Sequence, residues 1–155
     1  MTKQVGFVQG GGEGTHDDWD NKLVESLERE LGSDYEIRYP RMPNEADPKY
    51  SLWKTALKKE FAKLDDGAIL VGHSIGATIL INVLAEESSG LAPSGIFLIA
   101  APFVGKGGWP SEDIESMAHV DLYERAIPQA IVRRLVDRDH QLNENLSELT
   151  AVTWK

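Results

Sequence analysis

The chain has 155 residues, 41% of them hydrophobic, with 16 basic and 25 acidic side chains, a formal net charge of −9 and no cysteine. That length can bury roughly 70% of the unfolded surface in one core, without a disulfide or structural metal, and the missing cysteine excludes a thiol nucleophile or a Cys-ligated metal. The acidic balance disfavours nucleic acid and anionic membrane as partners, and no apolar run nears the roughly 20 residues of a membrane span, so a single cytoplasmic domain is expected.

Residues 3–9, with Val5, Phe7 and Val8, read as a short buried strand running into Gly10-Gly11-Gly12-Glu13-Gly14. Asp17 and Asp18 offer N-cap chemistry, and Trp19, Leu23, Val24, Leu27 and Leu31 form the apolar stripe of a helix that Gly32 stops. Residues 35–39 are a second strand, and Pro40, Pro43 and Pro48 make the following stretch a loop. Leu52, Trp53, Ala56, Leu57, Phe61 and Leu64 then mark a second amphipathic helix.

The continuous apolar run at 68–71 predicts a strand covered on both faces, followed by a helix over 75–87. A further strand is expected at 96–101, a glycine-rich loop at 102–110, a helix at 114–127, a strand at 131–136 and a last helix at 142–152. This alternation predicts an α/β domain of about five mostly parallel strands with helices on both faces.

Gly72-His73-Ser74-Ile75-Gly76 matches G-x-S-x-G between the most apolar strand and a helix, the setting a nucleophile elbow requires. Such a turn lifts a serine hydroxyl above the sheet, and the helix start brings the Ile75 N–H to the oxyanion that acyl transfer develops. A second donor is expected from the glycine loop, at Gly11 or Gly12. The competing dinucleotide fingerprint fails because Thr15 stands where the third glycine belongs. The plainer reading of Ser74 is a helix cap in a glycine turn.

Of the four histidines, His16, His73, His119 and His140, only His140 follows the last expected strand, in a polar loop on the same sheet edge as Ser74. It is therefore the candidate base, weighed against an ordinary surface histidine. His73 is expected to point away from Ser74, His119 to sit on a helix, and His16 to lie at the pocket mouth or on an exposed helix start. Acidic runs such as Glu25, Glu28 and Glu30 read as solvated helix faces, so neither a metal nor a cofactor is expected.

Taken together, Phe7-Val8-Gln9-Gly10-Gly11-Gly12-Glu13-Gly14, Tyr39-Pro40-Arg41-Met42-Pro43, Gly72-His73-Ser74-Ile75-Gly76, Ala101-Pro102-Phe103 with Gly108-Trp109, and Asp139-His140-Gln141 resemble the small single-domain α/β-hydrolases of the retinoblastoma-binding-protein type. The resemblance implies a serine esterase acting on a small-molecule ester, with Ser74 as nucleophile, His140 as base and a pocket partly formed around Trp109. It also implies a strand carrying the triad acid, yet residues 103–118 contain no β-rich run. Asp113, Asp121, Asp137 and Asp139 remain as acids, with Asp137 nearest in chain to a fold-back onto His140. A lost strand would leave sheet edges that favour a homodimer, and it motivates an alternative reading as an inactive, protein-binding hydrolase fold.

Overall fold

The structure, a computed structural model, describes residues 2–86, 91–102, 140, 141, 144, 146 and 147. The expected loop at 102–110 (beyond Pro102), the helix at 114–127, the strand at 131–136, most of the helix at 142–152, Trp109 and every candidate acid lie outside these residues.

Four strands are described: β1 (Lys3–Val8), β2 (Tyr35–Arg38), β3 (Ile69–His73) and β4 (Gly95–Ile99). They form one parallel sheet in the order β2-β1-β3-β4. Parallel neighbours need crossovers, and three helices supply them: α1 (Asp20–Leu31), α2 (Tyr50–Phe61) and α3 (Ile75–Glu86).

Alternation along the strands divides the core into two layers. Val5 and Phe7 of β1, with Ile69 and Val71 of β3, pack with Leu23, Val24 and Leu27 of α1. Val8 and Leu70 face the opposite way, against Trp53, Leu57 and Phe61 of α2 and Ile79, Leu80 and Val83 of α3. Every residue of β3 is buried, as its unbroken apolar run predicts, because helices cover both faces. Met42 joins the second layer from the proline-rich loop, where the Trp53 indole N–H donates to the Pro43 carbonyl at 2.8 Å. Leu146 is fully buried in the first layer, and its N–H donates to Ser26 Oγ of α1 at 2.9 Å.

Helix α1 begins later than the apolar stripe suggests. Residues Thr15–Trp19 form a π-helical turn, neither it nor α1 has a side-chain cap, and Trp19 is 53% exposed rather than part of the core. Gly32 ends α1 as expected, at φ 72°, a backbone angle that side chains resist.

Candidate active site

After β1 the chain moves outward to β2, then returns to the other side of β1 to lay down β3 and β4. Helices α1 and α3 therefore leave from adjacent strands toward opposite faces, opening a crevice at the carboxyl ends of β1 and β3. The Gly10-Gly11-Gly12 loop follows β1 and Ser74 follows β3, so both meet at that crevice.

Ser74 occupies a strand-to-helix turn with φ 56°, a left-handed conformation worth roughly 1–3 kcal/mol of local strain in a residue bearing Cβ. The turn is held by backbone hydrogen bonds, one of them to β4. The Ser74 N–H donates to the Ile99 carbonyl at the end of β4 at 2.9 Å, and the Ser74 carbonyl accepts from the Ala77 N–H at 3.0 Å. A Cβ on Gly72 would lie 2.7 Å from Ala77 Cα, and one on Gly76 would lie 1.9 Å from the Gln9 carbonyl oxygen. The turn closes only because those two positions are glycine. Gly76→Ala is therefore expected to push α3 off the β1 loop, with loss of soluble folded protein or a stability drop of at least about 3 kcal/mol, read by urea unfolding.

Three N–H groups of the glycine loop are engaged. The Gly10 N–H donates to Asp20 Oδ2 at 2.7 Å, the Gly12 N–H to the Glu45 carbonyl at 2.6 Å and the Gly14 N–H to Glu45 Oε1 at 2.8 Å. Among the described residues the N–H groups of Gly11 and Ile75 have no hydrogen-bond partner. These two residues are also in contact, since a Cβ on Gly11 would fall 2.9 Å from Ile75 Cγ2 and 2.6 Å from Pro48 Cγ. Of the two glycines considered for a second donor, Gly12 is thus occupied and Gly11 is free to donate.

Glu45, which the sequence did not single out, ties the proline-rich loop to the glycine loop. Its carboxylate accepts from Gln9 Nε2 at 2.7 Å and from the His16 N–H at 3.0 Å, besides Gly14. Its pKa lies below the ordinary glutamate range: burial opposes ionisation, but the Gln9, His16 and Gly14 donors outweigh it. Gln9 itself is fully buried, with its side-chain oxygen accepting from the Met42 N–H at 2.8 Å.

The histidines separate clearly. His16 stacks on Tyr39 with ring centroids 4.0 Å apart, its Nδ1 2.8 Å from Asp17 Oδ1 and its Nε2 3.2 Å from the Tyr39 carbonyl oxygen. His73 is buried on the α1 side. Its Nδ1 lies 3.0 Å from Asp20 Oδ1 and its Nε2 lies 2.9 Å from the backbone oxygen of His140. The exposed His140 stands over this pair, the two imidazole centroids 4.9 Å apart. His119 lies outside the described residues.

Asp20 is a second residue that sequence reading missed. It is 0% exposed, and Gln141 Nε2 donates to its Oδ1 at 3.1 Å. Burial opposes its charge, but the hydrogen bond and charge of His73, the Gly10 N–H and the Gln141 amide hold its pKa below the ordinary value. A carboxylate with a depressed folded pKa adds stability above its unfolded pKa of about 4, and that contribution disappears as pH falls through the lowered folded value. The stability advantage of the wild type over Asp20→Asn is accordingly expected to narrow as the pH falls below about 5, as measured by urea unfolding.

Among the described residues no group of three His, Asp or Glu side chains is placed to hold a metal ion, and no helix is long and apolar enough to cross a membrane. A parallel sheet covered by helices on both faces, with a strained serine turn at the switch in strand order, defines an α/β-hydrolase-like fold. The serine hydrolase family model matches residues 8–155, and the chain belongs to that family. A comparison with curated proteins gave no match.

Proposed function

We propose that this serine hydrolase cleaves carboxylic esters of small molecules through an acyl-enzyme on Ser74. The observation that carries this reading is the strained Ser74 turn at φ 56° beside the Gly11 and Ile75 N–H groups, which have no partner among the described residues. Ser74 Oγ attacks the ester carbonyl while His140 accepts its proton. The Gly11 and Ile75 N–H groups, with the N-terminal end of α3, receive the oxyanion. Collapse of the tetrahedral species breaks the ester C–O bond, and His140 returns the proton to the departing alcohol. Water, deprotonated by His140, then attacks the acyl group; as the acyl–Oγ bond breaks, His140 passes that proton to Ser74 Oγ and the acid is released.

His16 and Trp109 are assigned to the substrate pocket in this reading, and the cytoplasm remains the expected compartment. Asp137 is the proposed acid behind His140. Removing that role from a complete triad lowers turnover by about 10⁴, whereas the oxyanion donors and binding contacts alone retain roughly 10³ to 10⁴ over water. Because Asp137 would have to fold back onto His140 within one loop instead of standing on an acid-bearing strand, the expected enzyme is slow, active on aryl esters and inactive on amides, whose poor leaving group demands a well-oriented acid. Asp137→Asn is expected to lower ester turnover at least about tenfold; an unchanged rate would remove Asp137 from the mechanism.

The test of the whole reading is labelling with a fluorophosphonate, followed by peptide mapping. A stoichiometric adduct on Ser74, together with hydrolysis of short-chain p-nitrophenyl esters, is the expected result. A protein that takes no label and turns over no ester would refute it.

A further inference from the structure

Three separate segments converge on one buried carboxylate. From the glycine loop comes the Gly10 N–H at 2.7 Å, from the end of β3 comes His73 Nδ1 at 3.0 Å, and from the His140 segment comes Gln141 Nε2 at 3.1 Å. All reach Asp20, at the first residue of α1, which is 0% exposed, while His73 is 2% exposed. A buried carboxylate is tolerated only when its lone pairs are met by donors, and here each donor belongs to a different part of the candidate site.

His73 extends the connection. Its Nδ1 faces the Asp20 carboxylate and its Nε2 faces the His140 backbone oxygen at 2.9 Å, so each ring nitrogen meets an acceptor. The His73 ring is thereby held between the Asp20 carboxylate and the His140 carbonyl. The chain Asp20, His73, His140 carbonyl therefore runs from the foot of α1 to the backbone of the residue proposed as base. A Cβ on Gly10 would lie 3.2 Å from Ser74 Cβ and 3.3 Å from His73 Nδ1, so Gly10 adjoins both the serine and this connection.

From this geometry we infer that Asp20 is a positioning residue for hydrolysis: one buried carboxylate sets the Gly10-Gly11 backbone toward the oxyanion and, through His73 and Gln141, sets the His140 segment over Ser74. The inference rests on the proposed roles of Ser74 and His140. It adds a carboxylate that acts through backbone and a second imidazole, without touching substrate or the His140 ring. Misplacing a reacting group by about 1 Å can lower turnover 10²-fold, so a residue that sets two such groups has large leverage without being catalytic.

The deciding experiment is a double-mutant cycle on ester turnover with Asp20→Asn and His140→Ala, in the full-length protein. Asn keeps an acceptor for the Gly10 N–H but loses the charge that holds His73. Asp20→Asn is expected to lower kcat roughly 10- to 100-fold with KM within about twofold, and most of that loss should vanish in the His140→Ala background. Independent, multiplicative effects would show that Asp20 only supports the fold and would overturn the inference. Should Asp20→Asn fail to fold, Gln141→Ala, at a half-buried position, replaces it in the same cycle under the same criterion. Proton NMR of the wild type supplies a readout apart from activity: a slowly exchanging low-field ring N–H of His73, lost in Asp20→Asn or Gln141→Ala, is expected, and its absence from the wild type would also count against the clamp. Wild-type protein that leaves Ser74 unlabelled by fluorophosphonate would defeat the esterase reading instead, and the positioning role with it.

Discussion

Ser74→Ala is expected to abolish fluorophosphonate labelling and to lower turnover of short aryl esters by roughly 10⁴-fold or more, approaching the loss of about 10⁶ seen when a triad serine is removed. The loss is this large because the reaction splits into two easier steps only when Oγ is present, and no cysteine exists to replace it. The same position carries a stability signature that a mere helix cap would lack. At φ 56° a β-carbon is strained and glycine is not, so Ser74→Gly should melt above Ser74→Ala by roughly 2–4 °C while being equally inactive. Label on another serine, or an active Ser74→Ala, would remove Ser74 from the mechanism.

His140→Ala is expected to have the second largest effect, a fall in ester turnover of roughly 10² to 10⁴, the usual worth of a positioned general base. Two features make His140 the choice. Its backbone oxygen is anchored to His73, and its exposed ring stands over that buried one. His119→Ala should leave turnover little changed. Activity should fall as the pH is lowered, because a protonated imidazole cannot accept the Ser74 proton. Equal losses from His119→Ala and His140→Ala, measured as steady-state kcat, would show that the base lies elsewhere.

Much of the described fold was legible before any coordinates. Period-two burial in Val5 and Phe7, the unbroken run through Leu70 and Val71, and the helical spacing of Leu23, Val24, Leu27 and Leu31 are local consequences of strand and helix geometry, and each element appears close to its expected bounds. The boundary at Trp19 was misread because an apolar residue in register with a stripe carries no mark of the π-helical turn that swings it to solvent. Glu45, standing in an unpatterned proline-rich loop, gave no signal at all, since its partners Gln9, Gly14 and His16 lie about 30 residues away along the chain.

The serine turn is only partly local: the clash that demands Gly72 and the handedness of Ser74 arise within a few residues, whereas the clash that demands Gly76 comes from the Gln9 carbonyl after β1. Sequence alone determined the α/β class, the Ser74 turn and the two glycine-bearing segments expected to face each other. Tertiary structure decided what those segments do to one another. Parallel pairing of β1 with β3 brings Gly11 against Ile75, the proline-rich loop engages Gly12 through Glu45, and the packing of α1 beneath the same crevice buries Asp20 between Gly10, His73 and Gln141. A hydrogen bond between residues separated by 121 positions, such as that from Gln141 to Asp20, has no periodicity to announce it, because it exists only once the chain near residue 141 has packed against α1.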